Sequence, residues 1–199
     1  GAEDAVAQPE QAVAAPALPV MAADEVEPLG VKDYTCTHKG KFHDFEQWRK
    51  DGGWIPGNLG KDYTEGEWVP QFASFTVPAG VNQIEMEYDR YDGSINGYDK
   101  FRFVRLTDRL TDPDGAVISS EEINAEDVKV EEVGGQPKTK VTITFEVPAD
   151  GTYYIYWDLH LASALDYGAN LGAASFPGAS LHARMVSLNC SGKGVGNKS

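Results

Sequence analysis

The sequence predicts an all-β fold, an antiparallel β-sandwich of jelly-roll-like type, behind a flexible N-terminal Ala/Pro-rich segment. Three observations carry that prediction. Short stretches alternate apolar and polar residues with a period of two. Gly, Pro, Asn and Asp punctuate them. Two cysteines, Cys36 and Cys190, bracket them. At 199 residues, 41% hydrophobic and 11% aromatic, the chain is long enough for one such domain with a core of its own. The expected division is a leader over 1–28, the sandwich over 29–190 and a flexible tail over 191–199.

The clearest strand is Lys140 to Val147, where Val141, Ile143, Phe145 and Val147 share one face and Thr142, Thr144 and Glu146 the other. Thr152 to Leu161 follows, with Tyr153, Ile155, Trp157, Leu159 and Leu161 alternating with Tyr154, Tyr156, Asp158 and His160. Pro148 to Gly151 connects the two tightly. The same arrangement occurs earlier, where Ala73, Phe75 and Val77 lead through Pro78, Ala79 and Gly80 into Ile84, Met86 and Tyr88. Phe-Thr-Val-Pro-Ala-Gly and Phe-Glu-Val-Pro-Ala-Asp-Gly thus form a weak internal repeat, expected to be two equivalent hairpins on opposing sheets. Further strands are expected at Phe101 to Leu106, Asp127 to Val133 and Leu181 to Cys190. In the last, apolar parity shifts between Met185 and Val186, which predicts a β-bulge. A short helix is expected at Asp44 to Lys50, because Asp44 can cap it and Phe45 and Trp48 stand at i and i+3. A Gly-rich, aromatic loop, Asp51 to Gly66, follows.

Charge narrows the partners. The formal net charge of -14 repels phosphate backbones and anionic lipid head groups, so nucleic acid is not an expected partner. No apolar run reaches the length of a membrane-spanning helix, and no direct membrane insertion is expected. The placement of Cys36 and Cys190 at the two ends of the strand-rich region predicts a disulfide and with it an oxidising, extracellular, cell-surface location.

Few residues suggest chemistry. No G-x-S-x-G elbow is present, and His38, His43, His160 and His182 stand in plain contexts, so no enzyme is expected. His38 and His43 lack the cysteine pair of a zinc site. Asp108, Asp112 and Asp114 precede Gly115 in a carboxylate-rich turn that would suit calcium, although it lacks the spacing and terminal Glu of an EF-hand and reads equally as ordinary turn chemistry. No cofactor is required. Trp54, Tyr63 and Trp68 offer flat faces for a sugar ring of a surface glycan, or a plug for an open sandwich end. Asn189-Cys190-Ser191 and Asn197-Lys198-Ser199 match the glycosylation sequon.

The leader carries six acids, Glu3, Asp4, Glu10, Asp24, Glu25 and Glu27, and no Lys, Arg or aromatic residue. Within it Ala12 to Ala23 is uninterruptedly apolar. Pro16 and Pro19 exclude a helix there in favour of extended or polyproline-like backbone. Such a ribbon asks for a partner surface. It is expected to add as a donated strand to another copy of the chain, through Val13, Leu18, Val20, Met21 and Val26. Because each proline removes a ladder donor, that strand would sit at an edge or pair regularly only over Val20 to Val26. The plain alternative is a spacer.

The stretches Trp157 to Ser163, Asp166 to Gly168 and Phe176 to Met185 resemble a recurrent segment of prokaryotic cell-surface proteins. Gly57 to Lys61 with Glu67 to Pro70 resembles the opening of the same exported β-sandwich domain. The resemblance covers about residues 35–190 and implies a non-catalytic surface protein. The chain stops near Ser199 without a sorting signal or hydrophobic tail, which favours a subunit held by association over a wall-anchored adhesin. Two functions are therefore expected in order: a self-associating subunit of a filament, pilus or layer, and an adhesin or carbohydrate-binding module.

Overall fold

The structure, a computed structural model, describes residues 32–60, 62–123, 125–178 and 181–195. The leader, with its donor residues, lies outside the described residues, as does the second sequon. Twelve strands and two short helices follow in order. They are β1 (Lys41–Arg49), β2 (Gly53–Ile55), β3 (Trp68–Val77), β4 (Gly80–Asp89), β5 (Tyr91–Asp92), β6 (Ile95–Asn96), β7 (Tyr98–Thr107), α1 (Pro113–Ser119), β8 (Glu121–Glu122), β9 (Val128–Glu131), β10 (Lys138–Val147), β11 (Gly151–Leu161), α2 (Ala164–Tyr167) and β12 (Ala183–Leu188). One sheet runs β2-β1-β3-β11-β7-β8, the other β12-β4-β10-β9, and β5 with β6 forms a small ribbon. The fold is an all-β sandwich.

The core lies between the sheets because alternation turns one face of each strand inward. Ile84, Met86 and Tyr88 of β4 and Val141, Ile143 and Phe145 of β10 meet Ala73, Phe75, Ile155, Trp157 and Leu159 of the larger sheet, all at 1% exposure or less. Phe75 and Phe145 pack ring to ring at 5.2 Å across the layers.

The internal repeat is real, but its copies are not hairpins. β3 and β4 belong to different sheets, as do β10 and β11, so each Val-Pro-Ala corner arches from one layer to the other. The two copies then pair with each other, β3 with β11 and β4 with β10, in registers that match Val77 with Gly151 and Gly80 with Val147. The corners touch: Ala79 N donates to Asp150 Oδ1 at 2.8 Å. Proline, which cannot donate to a ladder, stops the strand in each copy and sends the chain across the core.

The helix expected at Asp44 to Lys50 is a strand. β1 is paired with β3, and its register shifts between Phe42 and Asp44. Phe45 and Trp48, read as i and i+3 of one helical face, lie on opposite faces of the strand, Phe45 in the core and Trp48 against Trp54 of β2. Gln47, buried at 5%, occupies the next inward position and hides the alternation behind a polar side chain. The converse error lies at Asp112 to Gly115, read as a turn, which opens α1 with Pro113 in its first turn and Asp112 as N-cap. In β12 the register shifts between Met185 and Ser187, where the sequence parity broke.

Cys36 and Cys190 are joined, their Cα atoms 5.7 Å apart and 154 residues apart in sequence. Asn189 (φ 48°) and Cys190 (φ 65°) both adopt the left-handed conformation, and Leu188 and Ser191 exchange backbone hydrogen bonds of 3.0 Å around them. This is a type I′ turn, which favours Asn at its first central position and Gly at its second. Beyond it, Val195 is buried at 3% within the core, so the sandwich continues past Cys190.

Burial also sets the alkaline limit of the fold. Desolvation pushes the Tyr63, Tyr88 and Tyr156 hydroxyls up to about 12. Each group binds its proton more tightly folded than unfolded, so its stabilisation is complete below pH ~10 and is lost as pH rises through about 12. Phenolate absorbance is expected to show these tyrosines titrating late, with denaturant stability falling over the same window. Titration of every tyrosine near its ordinary value in the folded protein would contradict this packing.

Candidate functional site

At the end of the sandwich away from the disulfide, the loops leave an open cleft of about 630 Å³. One wall is Asn58, Leu59, Gly60, Tyr63, Thr64 and Glu65, the floor is Tyr98 and Leu161, and the far wall is Ser163, Ala164, Leu165, Ala173, Ala174 and Leu181. The lining is mainly aliphatic and aromatic, with polar groups at the rim, the usual character of a binding cavity.

Each wall is held by a specific polar tie. Trp157 Nε1 donates to Gln71 Oε1 at 2.9 Å, Gln71 Nε2 donates to Gln47 Oε1 at 3.3 Å, and Gln47 Nε2 donates to the Gly57 carbonyl. This chain of buried amides runs from the core tryptophan to the root of the loop, and a satisfied network of this kind fixes a geometry. Tyr63 OH donates to the Trp48 carbonyl at 2.5 Å and pins the middle of the same loop to β1. Glu65 joins the two walls: Oε2 accepts from Ala164 N at 2.9 Å and Oε1 from Ala174 N at 3.0 Å. A Cβ at position 172 would stand 2.4 Å from that carboxylate, so only glycine lets the 172–174 segment approach. On α2, Ser163 Oγ accepts from Leu165 N at 3.1 Å. Leu165 itself is 97% exposed at the mouth of the apolar cavity.

The residues singled out from the sequence come together only in part. Tyr63 and Trp68 share a shallower groove of about 310 Å³, but its other ring is Trp48, with Lys50, Asp112 and Asp114 at the edge. Trp54 points elsewhere. It packs edge-on against Phe72 at 4.9 Å and donates from Nε1 to the Thr111 carbonyl at 2.8 Å, beneath α1. The faces in the groove are also engaged: the Arg102 guanidinium stacks 3.7 Å from Trp68, and Lys50 Nζ stands 4.7 Å over Tyr63.

The three aspartates expected to suit calcium do different things. Asp112 caps α1 by accepting from Gly115 N at 2.6 Å, Asp108 pairs with Arg109 at 3.3 Å, and Asp114 lies in the first helical turn. Among the described residues no three His, Cys, Asp or Glu side chains gather as a metal site. The sequon residue Asn189 is buried at 5%, its Oδ1 accepting from Gln83 N and its Nδ2 donating to Asn82 Oδ1, both at 2.9 Å.

The buried acids serve as structural ties. Asp99, on β7, receives His160 Nδ1 at 2.5 Å and Tyr167 OH at 2.9 Å. Asp127 holds both the backbone and the side chain of Lys32 at 2.8 Å, and Asp89 holds Lys138 and the His182 backbone. Burial holds the Asp158 carboxyl above its ordinary range, against the neighbouring Arg102 guanidinium that favours its charged form. His160, oriented by Asp99 as a catalytic histidine would be, lies against the Trp68 ring at 4.7 Å. His43 does meet a hydroxyl, Thr76 Oγ1 at 2.6 Å, and Thr76 in turn meets Thr152 at 2.8 Å.

No protein-family model and no curated protein matches the chain. Among solved structures, the pilus backbone RrgB from Streptococcus pneumoniae is similar at 15% identity and a TM-score of 0.36, over 74% of this chain. The chain spans about half, 51%, of the length of that pilus protein.

The sequence offered little warning of the cleft. Gln47, Tyr98, Leu161 with Leu165, and Leu181 stand in four separate segments of the chain, and none is marked out by its local context.

Proposed function

We propose that the protein is a non-catalytic, extracellular structural subunit of a cell-surface assembly, whose apolar leader is received by another copy of the chain. The observation that supports it best is the polarity of the sandwich. One end is closed by the Cys36–Cys190 bridge, and the other opens into an apolar cleft with Leu165 at its lip. A bridge across almost the whole domain suits an oxidising compartment, and an aliphatic cavity suits an apolar segment better than a charged substrate. The donated residues are Val13, Leu18, Val20, Met21 and Val26. A glycan-binding role has less support, because Trp54 is turned away from Tyr63 and Trp68 and the remaining faces carry Arg102 and Lys50.

Shortening the chain tests the reading. In analytical ultracentrifugation and electron microscopy the full chain is expected to form assemblies, and a chain beginning at Leu29 to remain monomeric. If the shortened chain assembles as the full one does, the leader is not the donor and the reading fails.

A further inference from the structure

We infer that the cleft is the receiving site, and that it takes Pro16–Pro19 of a second copy as a polyproline helix rather than as an added strand. The inference rests on the self-association reading above and specifies its acceptor. Pro16-Ala17-Leu18-Pro19 places two prolines three residues apart. In a β-ladder both would lack a donor. In a polyproline helix, which has three residues per turn and no internal hydrogen bonds, nothing is lost. That helix aligns Val13, Pro16 and Pro19 on one edge and Ala15, Leu18 and Met21 on the next, giving two adjacent apolar edges to bury.

The cleft matches such a ligand. Proline-rich helices dock in apolar grooves, and here Leu59, Leu161, Leu165 and Leu181 line the cleft beside Tyr63 and above the buried Tyr98. A polyproline helix also leaves its carbonyls unbonded and needs donors. Asn58 uses Oδ1 to accept from Gly60 N at 3.2 Å, which leaves its amide hydrogens for a ligand, and Ser163 likewise uses Oγ as an acceptor.

The sheet edge at β7 is a poorer acceptor. Beyond the two residues of β8, the outer edge of β7 from Lys100 to Phe103 is unpaired among the described residues, but Phe103 sits at φ 55° and the β7–β11 register breaks opposite it. Such a kink blunts an edge against strand addition. The twelve residues 20–31 separate Pro19 from Lys32, which Asp127 holds to the sandwich, and fully extended they span up to ~40 Å, enough to reach the cleft of a neighbouring copy. A neighbour that receives the leader in its cleft is joined head to tail, and such a contact repeats without closing.

The experiment uses the full chain with a photoreactive benzoylphenylalanine at position 18, mixed from ¹⁴N and ¹⁵N preparations and mapped by mass spectrometry after irradiation. Mixed-isotope cross-links to residues 55–66 and 161–174 are expected. Leu165→Glu, at a fully exposed position that leaves folding intact by circular dichroism, is expected to reduce their yield at least tenfold, and Leu110→Glu to leave it unchanged. Replacing Pro16 and Pro19 together by alanine separates the two modes: the yield falls for a polyproline ligand and rises for a donated strand, and a rise overturns the inference. Cross-links that land on β7 or β9, or that join only chains of one isotope, overturn it while self-association stands. A full chain that stays monomeric overturns both.

Discussion

Replacing Cys36 and Cys190 by serine is expected to lower unfolding stability by up to about 5 kcal/mol, the largest loss available from a single covalent contact in this chain. The bridge closes a loop with a sequence separation of 154 residues, and in the chain-entropy model a loop that long restricts the unfolded chain by about that amount. Domains of this kind are stable by only ~5–15 kcal/mol, so the variant is expected to approach the unfolding threshold at physiological temperature. The turn around Cys190 refines the expectation. Cys190 occupies the second central position of a type I′ turn at φ 65°, a conformation that costs serine more than glycine. Paired with Cys36→Ser, Cys190→Gly is therefore expected to be the milder of the two replacements at that position. Urea midpoints of the two double variants measure the difference, and equal losses would show that the bridge, not the turn, sets the whole effect.

Trp157→Ala is expected to cost about 3–5 kcal/mol from the cavity alone, because the side chain is 1% exposed and packs against Phe45 at 5.6 Å and Phe101 at 6.1 Å. A further ~1–3 kcal/mol follows from leaving Gln71 Oε1 without its indole donor. Trp157→Phe keeps much of the volume and loses the donor, so it isolates the second contribution. Because Gln71 and Gln47 pass the constraint on to Gly57, the phenylalanine variant is also expected to loosen the 57–65 loop, seen as faster amide exchange there with the strands unchanged. Uniform exchange across loop and strands would show that the amide chain does not position the cleft.

Taken by itself, the sequence determined seven of the strands, β3, β4, β7 and β9 to β12, with the inward faces of the clearest of them and the break in β12. Alternation such as Val141, Ile143, Phe145 is written over neighbouring residues and needs no partner to be recognised. It also determined that two Val-Pro-Ala corners would be equivalent. Whether each corner closed a hairpin or arched across the core was decided only when β3 paired with β11 and β4 with β10, contacts between residues about fifty to ninety apart. β1 shows the same limit at short range: a bulge of one residue and an inward glutamine removed its period, and the partner that makes Gln47 an inward residue, Gln71, lies in another strand. The aromatic trio failed for a related reason, since Trp54 is claimed by Thr111 and Phe72 on separate elements. Of the cleft, the sequence singled out only Tyr63. The cleft walls come from segments that meet only at the end of a closed sandwich, joined by Glu65 reaching across about a hundred residues to two backbone amides, and no local pattern records a contact made at that distance.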